Sequence, residues 1–501
     1  MHMLDQKATQ PATGQDAPVT TYDLVVIGAG IAGLNALFAA TAYLPKNARV
    51  LLLDQKQGAG GMWNTAYDYV RLHQPHPMFT VGDIKWNWQK PRDYLAGRDE
   101  VQRHLAGALG PVADAVNLET GFEQTVIACD AGTTDNGYRA RITFHPNDTP
   151  AQTTTVHAML AIHASGLNYR MAEPLDLSAS SVISIVPQDL RDILAAHPGA
   201  AVYVVGGGKT GMDTVLAALA DDPKRKVSLI NGRGTNFLNR TRYIPTGLKR
   251  WTSGQLVSRL FRDMALNFDG DNEEELISYF RRTYSTDPDT ANGVFLYGLQ
   301  SEDEQIRIAA GLSETYPGYL VDVTDGPDGP VMELQSGERL PVEPDSIFVN
   351  CTGSFFRTAD METNARCLSP GSTVLNISAR DGFHFLTSVA GFFLTHLLYR
   401  KDLKGKGFYT LDHEALFRMD RNAWVGASAA QAYMNQVIAV NTLPMMLLDR
   451  CGLDLDRWYP FPRRMAGLIR MKSSADTDIA HCRKVLDRLA DRFNIRCAPL
   501  D

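Results

Sequence analysis

The strongest constraint on the fold is a short pattern that occurs twice: an apolar strand, a glycine-rich turn and a helix. The first copy reads LVVIGAGIAGLNALFAATAYL and spaces Gly28, Gly30 and Gly33 as G-x-G-x-x-G. In such a unit the first glycine permits a tight turn, the second lets a pyrophosphate approach the backbone, and the third lets the helix pack closely on the strand. The start of the helix offers unpaired N–H groups to the phosphates. This segment is therefore predicted to bind a dinucleotide.

The strand that follows, ARVLLLDQ, ends in an acid. Its continuous apolar run is typical of a parallel strand covered on both faces. Asp54 closes this strand 21 residues after Gly33, where a carboxylate is needed for a ribose hydroxyl. Strand, glycine turn, helix, strand and terminal acid together are a strong signature, whereas the glycine spacing alone is weak.

The second copy reads AAVYVVGGGKTGMDTVLAALADD and contains Gly206, Gly208 and Gly211 in the same spacing. Lys209 and Thr210 lie within this turn and are predicted to contact the nucleotide with it. The strand KVSLIN follows. Two such units predict two nucleotide sites at the edges of two parallel sheets.

The residues after KVSLIN indicate which nucleotide the second site takes. A site for NAD would place an acid there, but the chain has Asn231, Gly232 and Arg233. An arginine at this position can pair with the 2′-phosphate of NADP. We therefore expect NADPH at the second site.

Composition excludes several classes of protein. With 49 Lys and Arg against 56 Asp and Glu, the net charge is −7, which argues against a nucleic-acid binder. The six cysteines are scattered without a C-x-x-C unit, so neither a disulfide scaffold, a structural zinc site nor a cysteine-pair reductase is expected. No metal site is predicted.

The most apolar run is FHFLTSVAGFFLTHLLY at 383–399. It carries His384 and His396, which favours a buried helix over a membrane span. The first twenty residues contain no apolar core of a secretory signal, so a cytoplasmic protein is expected.

Two further motifs follow the first unit. Gly60 to Trp63 read G-G-x-W, and YDYVRLHQPHP comes directly after. With the glycine turn so close to the N-terminus, they resemble the class B flavin-dependent monooxygenases, the group of flavin-containing monooxygenases, Baeyer–Villiger enzymes and N-hydroxylases. Both motifs are similar to those of the plant auxin-forming members. The resemblance covers about 20–235 and 340–400, although SVISIVPQDL stands where the group has an F-x-G-x-x-x-H motif.

The resemblance implies an α/β fold with two dinucleotide-binding Rossmann-like domains, in three layers with parallel sheets and an antiparallel meander, plus a helical C-terminal module. The implied division is a flexible tail at 1–20, the first part of the FAD-binding domain at 21–165, the NADPH-binding domain at 166–340 with an insert at about 234–330, the second part of the FAD-binding domain at 341–400, and the helical module at 401–501. The meander is expected within 112–165, followed by one more strand.

The resemblance also implies the reaction. NADPH reduces FAD, O₂ reacts to a flavin C4a-(hydro)peroxide, and one oxygen atom enters a small, fairly hydrophobic organic substrate. Matching the oxygen-reactive stretch of the group onto LHQPHP places His73, with Gln74 as a competing donor, in the catalytic position. Gly61, Trp63 and Arg71 are expected near FAD.

Two strand ends resemble the linkers between the two domains of the group. They are the residues 163–166, reading HASG, and the residues 351–353, reading CTG, which end at Gly353. Small residues there let the backbone cross from one domain to the other.

Two other functions stay open. The first alternative to the monooxygenase is an NADPH-dependent flavin reductase or oxidase without substrate oxygenation. The second is a non-catalytic FAD-binding regulator. Arg233 and the second glycine turn argue against the regulator, which needs no NADPH site. Substrate identity, the type of oxygenation, the oligomeric state and a membrane contact through the C-terminal module are not determined by the sequence.

Overall fold

The structure is a computed structural model that describes residues 19–133, 137–164, 166, 172–353, 356 and 366–500. Most of the predicted tail and Ser165 of the first predicted linker lie outside the described residues.

The strands are β1 (Thr20–Ile27), β2 (Arg49–Leu53), β3 (Asn117–Gly121), β4 (Gln124–Ala131), β5 (Ala140–Pro146), β6 (Thr154–His163), β7 (Ile183–Ile185), β8 (Val202–Val205), β9 (Val227–Ile230), β10 (Thr235–Asn239), β11 (Val294–Gln300), β12 (Glu314–Tyr316), β13 (Leu320–Gly326), β14 (Gly329–Leu334), β15 (Arg339–Pro341), β16 (Ile347–Asn350), β17 (Val374–Asn376), β18 (Tyr409–Leu411) and β19 (Cys497–Pro499). The α-helices are α1 (Ile31–Ala40), α2 (Arg98–Gly107), α3 (Leu109–Ala113), α4 (Leu190–Ala196), α5 (Lys209–Asp221), α6 (Arg240–Tyr243), α7 (Lys249–Thr252), α8 (Val257–Asn267), α9 (Glu273–Tyr284), α10 (Glu302–Gly311), α11 (Thr387–Tyr399), α12 (His413–Met419), α13 (Arg421–Thr442), α14 (Met445–Leu448), α15 (Phe461–Ser473) and α16 (Ala475–Phe493).

The first sheet has the order β3-β2-β1-β6-β5-β4, and β17 pairs with β6 beside β5. Strands β3, β2, β1, β6 and β17 are parallel, and β4 and β5 run antiparallel as the predicted meander. The run VNLETGFEQTVIACD, within the stretch where the meander was expected, forms two strands. Its first half is β3, which extends the parallel sheet, and its second half is β4. Glu123, in the link between the two strands, has a φ of 56°.

The second sheet, β12-β9-β8-β16-β7, is parallel throughout. Helices α4 and α5 cover one face, and the antiparallel β13-β14-β15 covers the other, where Val323 and Met332 pack on Tyr203 and Phe348. The α/β class with two three-layer, Rossmann-like units is therefore confirmed. Two expected domain boundaries differ from this sheet. Strand β16 belongs to the second sheet, although the second part of the FAD-binding domain was expected to begin at 341. Strand β12 also belongs to the second sheet, although it lies within the expected insert at about 234–330.

The insert and the C-terminal region form one helical body. The 22-residue helix α13 is almost wholly buried, and α8 and α9 from the insert pack on it together with α12, α15 and α16 from the C-terminal region. The module is helical as predicted, with one small addition, the antiparallel pair β18-β19.

The apolar run at 383–399 forms the buried helix that was predicted. Its helix α11 packs on α1 so closely that a Cβ on Gly391 would lie 2.3 Å from the carbonyl oxygen of Ala32. Within the described ranges, no helix is long and apolar enough to cross a membrane.

Candidate functional site

The first glycine turn is built for a helix that starts immediately after a strand. Gly28 has a φ of 103°, which side chains disfavour. A Cβ on Gly33 would lie 1.8 Å from the carbonyl oxygen of Gly28. The first turn of α1 therefore packs directly against the strand end, and its N-cap, Gly30, provides no side-chain cap. The N–H groups at the start of α1 are left for a ligand.

The G-G-x-W motif closes one side of this turn. Gly60 donates its N–H to the carbonyl of Ala29 at 3.0 Å. A Cβ on Gly61 would lie 2.8 Å from the Cα of Gly30. Two glycine-rich segments thus touch backbone to backbone, and the predicted position of Gly61 beside the first nucleotide site agrees with this contact.

Asp54 binds the same turn from the neighbouring strand. One carboxylate oxygen accepts the N–H of Ala29 at 2.6 Å, and the other accepts the N–H of Lys56 at 2.8 Å. The residue is buried. Each carboxylate oxygen keeps a second lone pair, so the predicted bond to a ribose hydroxyl is compatible with these contacts.

The second glycine turn repeats the geometry but is more open. A Cβ on Gly211 would lie 2.0 Å from the carbonyl oxygen of Gly206, as at the first turn. A Cβ on Gly206 would meet the carbonyl of Cys351 at 2.8 Å. Gly208, however, has no described atom within 4 Å of its Cβ position beyond its chain neighbours. The backbone at the start of α5 is accessible there.

The end of β9 has the polar groups that the second site needs. The Oδ1 of Asn231 is buried and has no hydrogen-bond partner among the described residues. Arg233 is exposed and lies 3.7 Å from Glu274 of α9, a solvated pair of little energetic weight. Arg233 is accessible to a nucleotide, and the buried Oδ1 of Asn231 is an unused acceptor.

The segment that follows the G-G-x-W motif lies along α5 of the second domain. Tyr67 donates its hydroxyl to Asp213 at 3.0 Å, and the hydroxyl of Tyr69 lies 2.9 Å from that of Thr214. Burial raises the pKa of both phenols far above the ordinary value. We did not predict these contacts from the sequence, although Y-D-Y and the M-D after the second glycine turn were visible signals.

Charged groups gather where this segment meets the second turn. Lys209 donates to Asp213, and Arg240 of α6 pairs with Glu304 of α10 at 2.8 Å. Burial raises the pKa of Asp213 against the opposing effect of Lys209. The pKa of Glu304 is lowered, because Lys209 and Arg240 together outweigh its burial. The sequence did not indicate Arg240 or Glu304, which come from the insert.

His73 lies beside this charged group. Its carbonyl accepts a hydrogen bond from Arg240 at 3.2 Å. Burial, with the positive charges of Lys209 and Arg240, lowers the pKa of its imidazole to about 3. The ring is therefore neutral at physiological pH. Gln74 follows it and is half-buried, without a side-chain hydrogen bond to any described residue.

Three other predicted contacts are placed as follows. Trp63 is buried and packs edge-on against Phe79. Arg71 is exposed, and its guanidinium donates to the carbonyl of Leu95 at 3.1 Å. Gly353 is exposed after the end of the second sheet.

No group of three or more His, Cys, Asp or Glu that could hold a metal ion occurs in the part of the chain that the structure describes. Five of the six cysteines are buried, and all are free thiols.

Comparisons with known proteins agree with this geometry. Residues 26–83 match the model of a family described as an NAD(P)-binding Rossmann-like domain. Uncharacterized proteins of Mycobacterium bovis and Mycobacterium tuberculosis are 40% identical over 72 residues, which is 14% of this chain and 13% of each of theirs. The first unit is thus a Rossmann-like dinucleotide-binding domain.

Solved structures with a similar fold include three whose names describe a monooxygenase, a hydroxylase and a disulfide reductase. A flavin-containing monooxygenase from Stenotrophomonas maltophilia is 14% identical over 76% of this chain and 98% of its own, with a TM-score of 0.44. An ornithine hydroxylase from Pseudomonas aeruginosa is 13% identical over 76% and 99%, with a TM-score of 0.48. A bacillithiol disulfide reductase from Staphylococcus aureus is 11% identical over 77% and 98%, with a TM-score of 0.44. These are likenesses of fold alone.

Proposed function

We propose that this chain is a FAD- and NADPH-dependent monooxygenase that transfers one oxygen atom from O₂ to a small, fairly hydrophobic organic substrate. One observation carries the proposal. The segment after the first glycine turn lies along the helix of the second, held by Tyr67 on Asp213 and Tyr69 on Thr214. Two dinucleotide sites joined in this way suit transfer of a hydride from one nucleotide to the other.

The first turn fits FAD. Gly28, Gly30 and Gly33 leave the start of α1 uncapped for a pyrophosphate, Gly61 closes the turn, and Asp54 has lone pairs for a ribose. Reduced FAD supplies the electrons that convert O₂ into one oxygen atom for the substrate and one molecule of water.

The second turn fits NADPH. Gly208 leaves room at the start of α5, and the unpartnered Oδ1 of Asn231 is an acceptor for a ribose hydroxyl. Arg233 can pair with the 2′-phosphate. Lys209, which donates to Asp213, has its charge at the start of α5, where the phosphates of the nucleotide would lie.

His73 acts as a neutral group in this proposal. With a pKa of about 3 it carries one ring proton throughout the physiological range, so it donates or accepts a hydrogen bond without changing charge. Lys209 and Arg240 keep it in that form. Arg240 also holds the backbone of His73 in place against α6.

The substrate and O₂ would enter beside this group, and a cytoplasmic location with its NADPH supply belongs to the same proposal.

The test is anaerobic reduction of the purified flavoprotein by NADPH, followed by mixing with O₂ and a panel of hydrophobic amines, sulfides and ketones. The proposal expects flavin reduction by NADPH and an oxygenated product in proportion to the NADPH consumed. Reduction with stoichiometric hydrogen peroxide across the whole panel would instead identify a reductase or oxidase. Absence of any reduction by NADPH would indicate the non-catalytic regulator.

A further inference from the structure

A cavity of about 110 Å³ lies inside the helical body, between α8, α11, α13 and α15. Its lining is mostly apolar and includes Phe261, Phe393, Ala432, Ala439, Val440 and Leu468. The charged residues of the lining have partners: Asp456 accepts the N–H groups of Val257 and Ser258, and Asp454 pairs with Arg464 at 3.1 Å. The cavity therefore favours an uncharged, apolar occupant.

One end of the cavity lies beside the residues that precede α11. His384 and Leu386, directly before α11, line it. Helices α1 and α11 are parallel, because Gly391 touches Ala32 near their starts and Tyr399 stacks on Tyr43 near their ends. Thr387, the first residue of α11, precedes Gly391 by about one helical turn. The entrance and the start of α1 thus lie on the same side of the molecule.

Strand β11 links the cavity to the second glycine turn. Its pairing with β10 contains a bulge in which Leu296, Tyr297 and Gly298 oppose Phe237 alone. A Cβ on Gly298 would lie 3.9 Å from the Cβ of Lys209. Bulges of this kind often re-aim side chains beside functional sites.

Tyr297 in this bulge is held in a strained conformation. Its φ is 56°, unusual for a large side chain, and its hydroxyl donates to the carbonyl of Val425 at 2.9 Å. The ring stacks on Phe385 at 4.4 Å. Phe385 is adjacent to His384 at the cavity entrance, and Tyr297 is adjacent to Gly298, which lies near Lys209. The contact between Tyr297 and Phe385 therefore connects the entrance with Lys209.

His384 is a free donor at this entrance. Its Nδ1 accepts the N–H of Leu386 at 2.9 Å, which places the ring proton on Nε2. Burial, with a smaller effect of His413, lowers the pKa of the imidazole to about 3. No hydrogen-bond acceptor for Nε2 occurs among the residues that the structure describes.

We propose that this cavity binds the apolar part of the substrate, a ring or branched group of about four to six carbon atoms, and that the Nε2–H of His384 donates to an acceptor atom of the substrate. The size follows from comparison with an apolar cavity of about 150 Å³ that takes up benzene. This inference rests on the proposed monooxygenase function, since it names the substrate class of that enzyme.

The test compares two isosteric probes, benzene and pyridine, titrated into the oxidised holoenzyme by calorimetry. Pyridine differs from benzene by one acceptor nitrogen. We expect both to bind, and Ala439→Leu to weaken both by about tenfold or more, because it fills the cavity. Ala310→Leu, an exposed alanine on α10, is the matched control and should leave both affinities unchanged. Unchanged binding in Ala439→Leu would overturn the assignment of the cavity.

His384 is tested with the same pair. His384→Phe should weaken pyridine by about tenfold and leave benzene within about threefold, since only pyridine accepts a hydrogen bond. His384→Gln keeps an N–H donor and should restore part of the pyridine affinity. Equal losses for both probes in His384→Phe would show a merely structural role and refute the assigned donor.

Flavin reduction by NADPH is measured on every variant, which separates the two proposals. Normal reduction without probe binding rejects the cavity and leaves the monooxygenase standing. Probe binding without reduction rejects the monooxygenase. With both present, Ala439→Leu should lower the product formed per NADPH while the rate of flavin reduction stays the same, and an unchanged ratio would overturn the substrate assignment.

Discussion

The two glycine turns share a sequence pattern but differ in what surrounds them. The first is covered: Gly61 touches Gly30, and Asp54 binds Ala29 across the sheet. The second is open at Gly208, and Asn231 beside it has a buried oxygen without a partner in the described structure. A covered turn with satisfied polar groups suits a nucleotide that stays bound. An open one with an unsatisfied group suits a nucleotide that enters and leaves.

The largest expected effect comes from the third glycine of each turn. Gly33→Ala places a Cβ 1.8 Å from a carbonyl oxygen, and Gly211→Ala places one at 2.0 Å. Relief requires the backbone to move, at a cost of about 3 kcal/mol or more. Gly33→Ala should yield protein without flavin, whereas Gly211→Ala should keep its flavin and lose reduction by NADPH. Absorbance spectra and stopped-flow reduction measure both.

Gly107→Ala is the control for these two variants. It lies at the end of α2 with free space around its Cβ position among the described residues, and should be neutral or stabilising by up to about 1 kcal/mol. Loss of flavin in Gly211→Ala as well as in Gly33→Ala would contradict the difference between the turns.

The polar groups beside the turns should differ in their effect on stability. Asp54→Ala removes the acceptor of one buried and one partly buried N–H group and should lower the free energy of unfolding by about 3 kcal/mol. Asn231→Ala removes an oxygen that has no partner and should cost less than about 1 kcal/mol while weakening NADPH binding. Urea unfolding of the two variants without added NADPH measures the contrast. Equal losses of stability would contradict it.

Arg233→Ala tests the choice of nucleotide. A charge-assisted bond to a phosphate is worth about 1.5–3 kcal/mol, so the KM for NADPH should rise about 10- to 100-fold while that for NADH changes little. Stability should not change, because Arg233 is exposed. The control is Lys226→Ala. Lys226 is an exposed cation directly before β9 and pairs with Glu343. A parallel rise in both KM values would remove Arg233 from the 2′-phosphate site.

The last effect concerns the pH dependence of stability at His73, beside Arg240 and Lys209. The unfolded chain protonates His73 near its ordinary pKa of 6.5, but the folded protein does so only near 3, because the site is buried and lies beside Lys209 and Arg240. The contribution of His73 to the free energy of unfolding is therefore fully present above about pH 6.5. On acidification the free energy of unfolding falls by about 1.4 kcal/mol per pH unit down to about pH 3.

His73→Gln should remove one proton from the pH dependence of unfolding. The measurement is the free energy of unfolding in urea at pH 7, 6 and 5, where the variant should lose less stability than the native protein. An identical slope for the two proteins would mean that His73 is protonated in the folded state at neutral or mildly acidic pH.

Much of the site could be predicted locally. Gly33 and Gly211 each pack against the glycine five residues earlier, so the glycine spacing was sufficient there, whereas the close approach of Gly206 to Cys351 joins residues far apart in the chain. The class of fold followed from the same repeat. The boundaries were less accurate, because β16 joins the second sheet through hydrogen bonds to β8 and β7, far away in the chain. A short apolar run does not reveal which sheet it joins.

The sequence by itself determined the two nucleotide-binding turns, because each depends on steric contacts within a few residues of the chain. Only the tertiary structure placed Tyr67 on Asp213, Arg240 beside His73 and His384 at the mouth of a cavity. The first two contacts join residues 146 and 167 positions apart, and the third brings separate helices together. The low pKa of His73 has the same origin, since burial and the field of distant cations exist only once the insert, the second domain and the first domain are packed together.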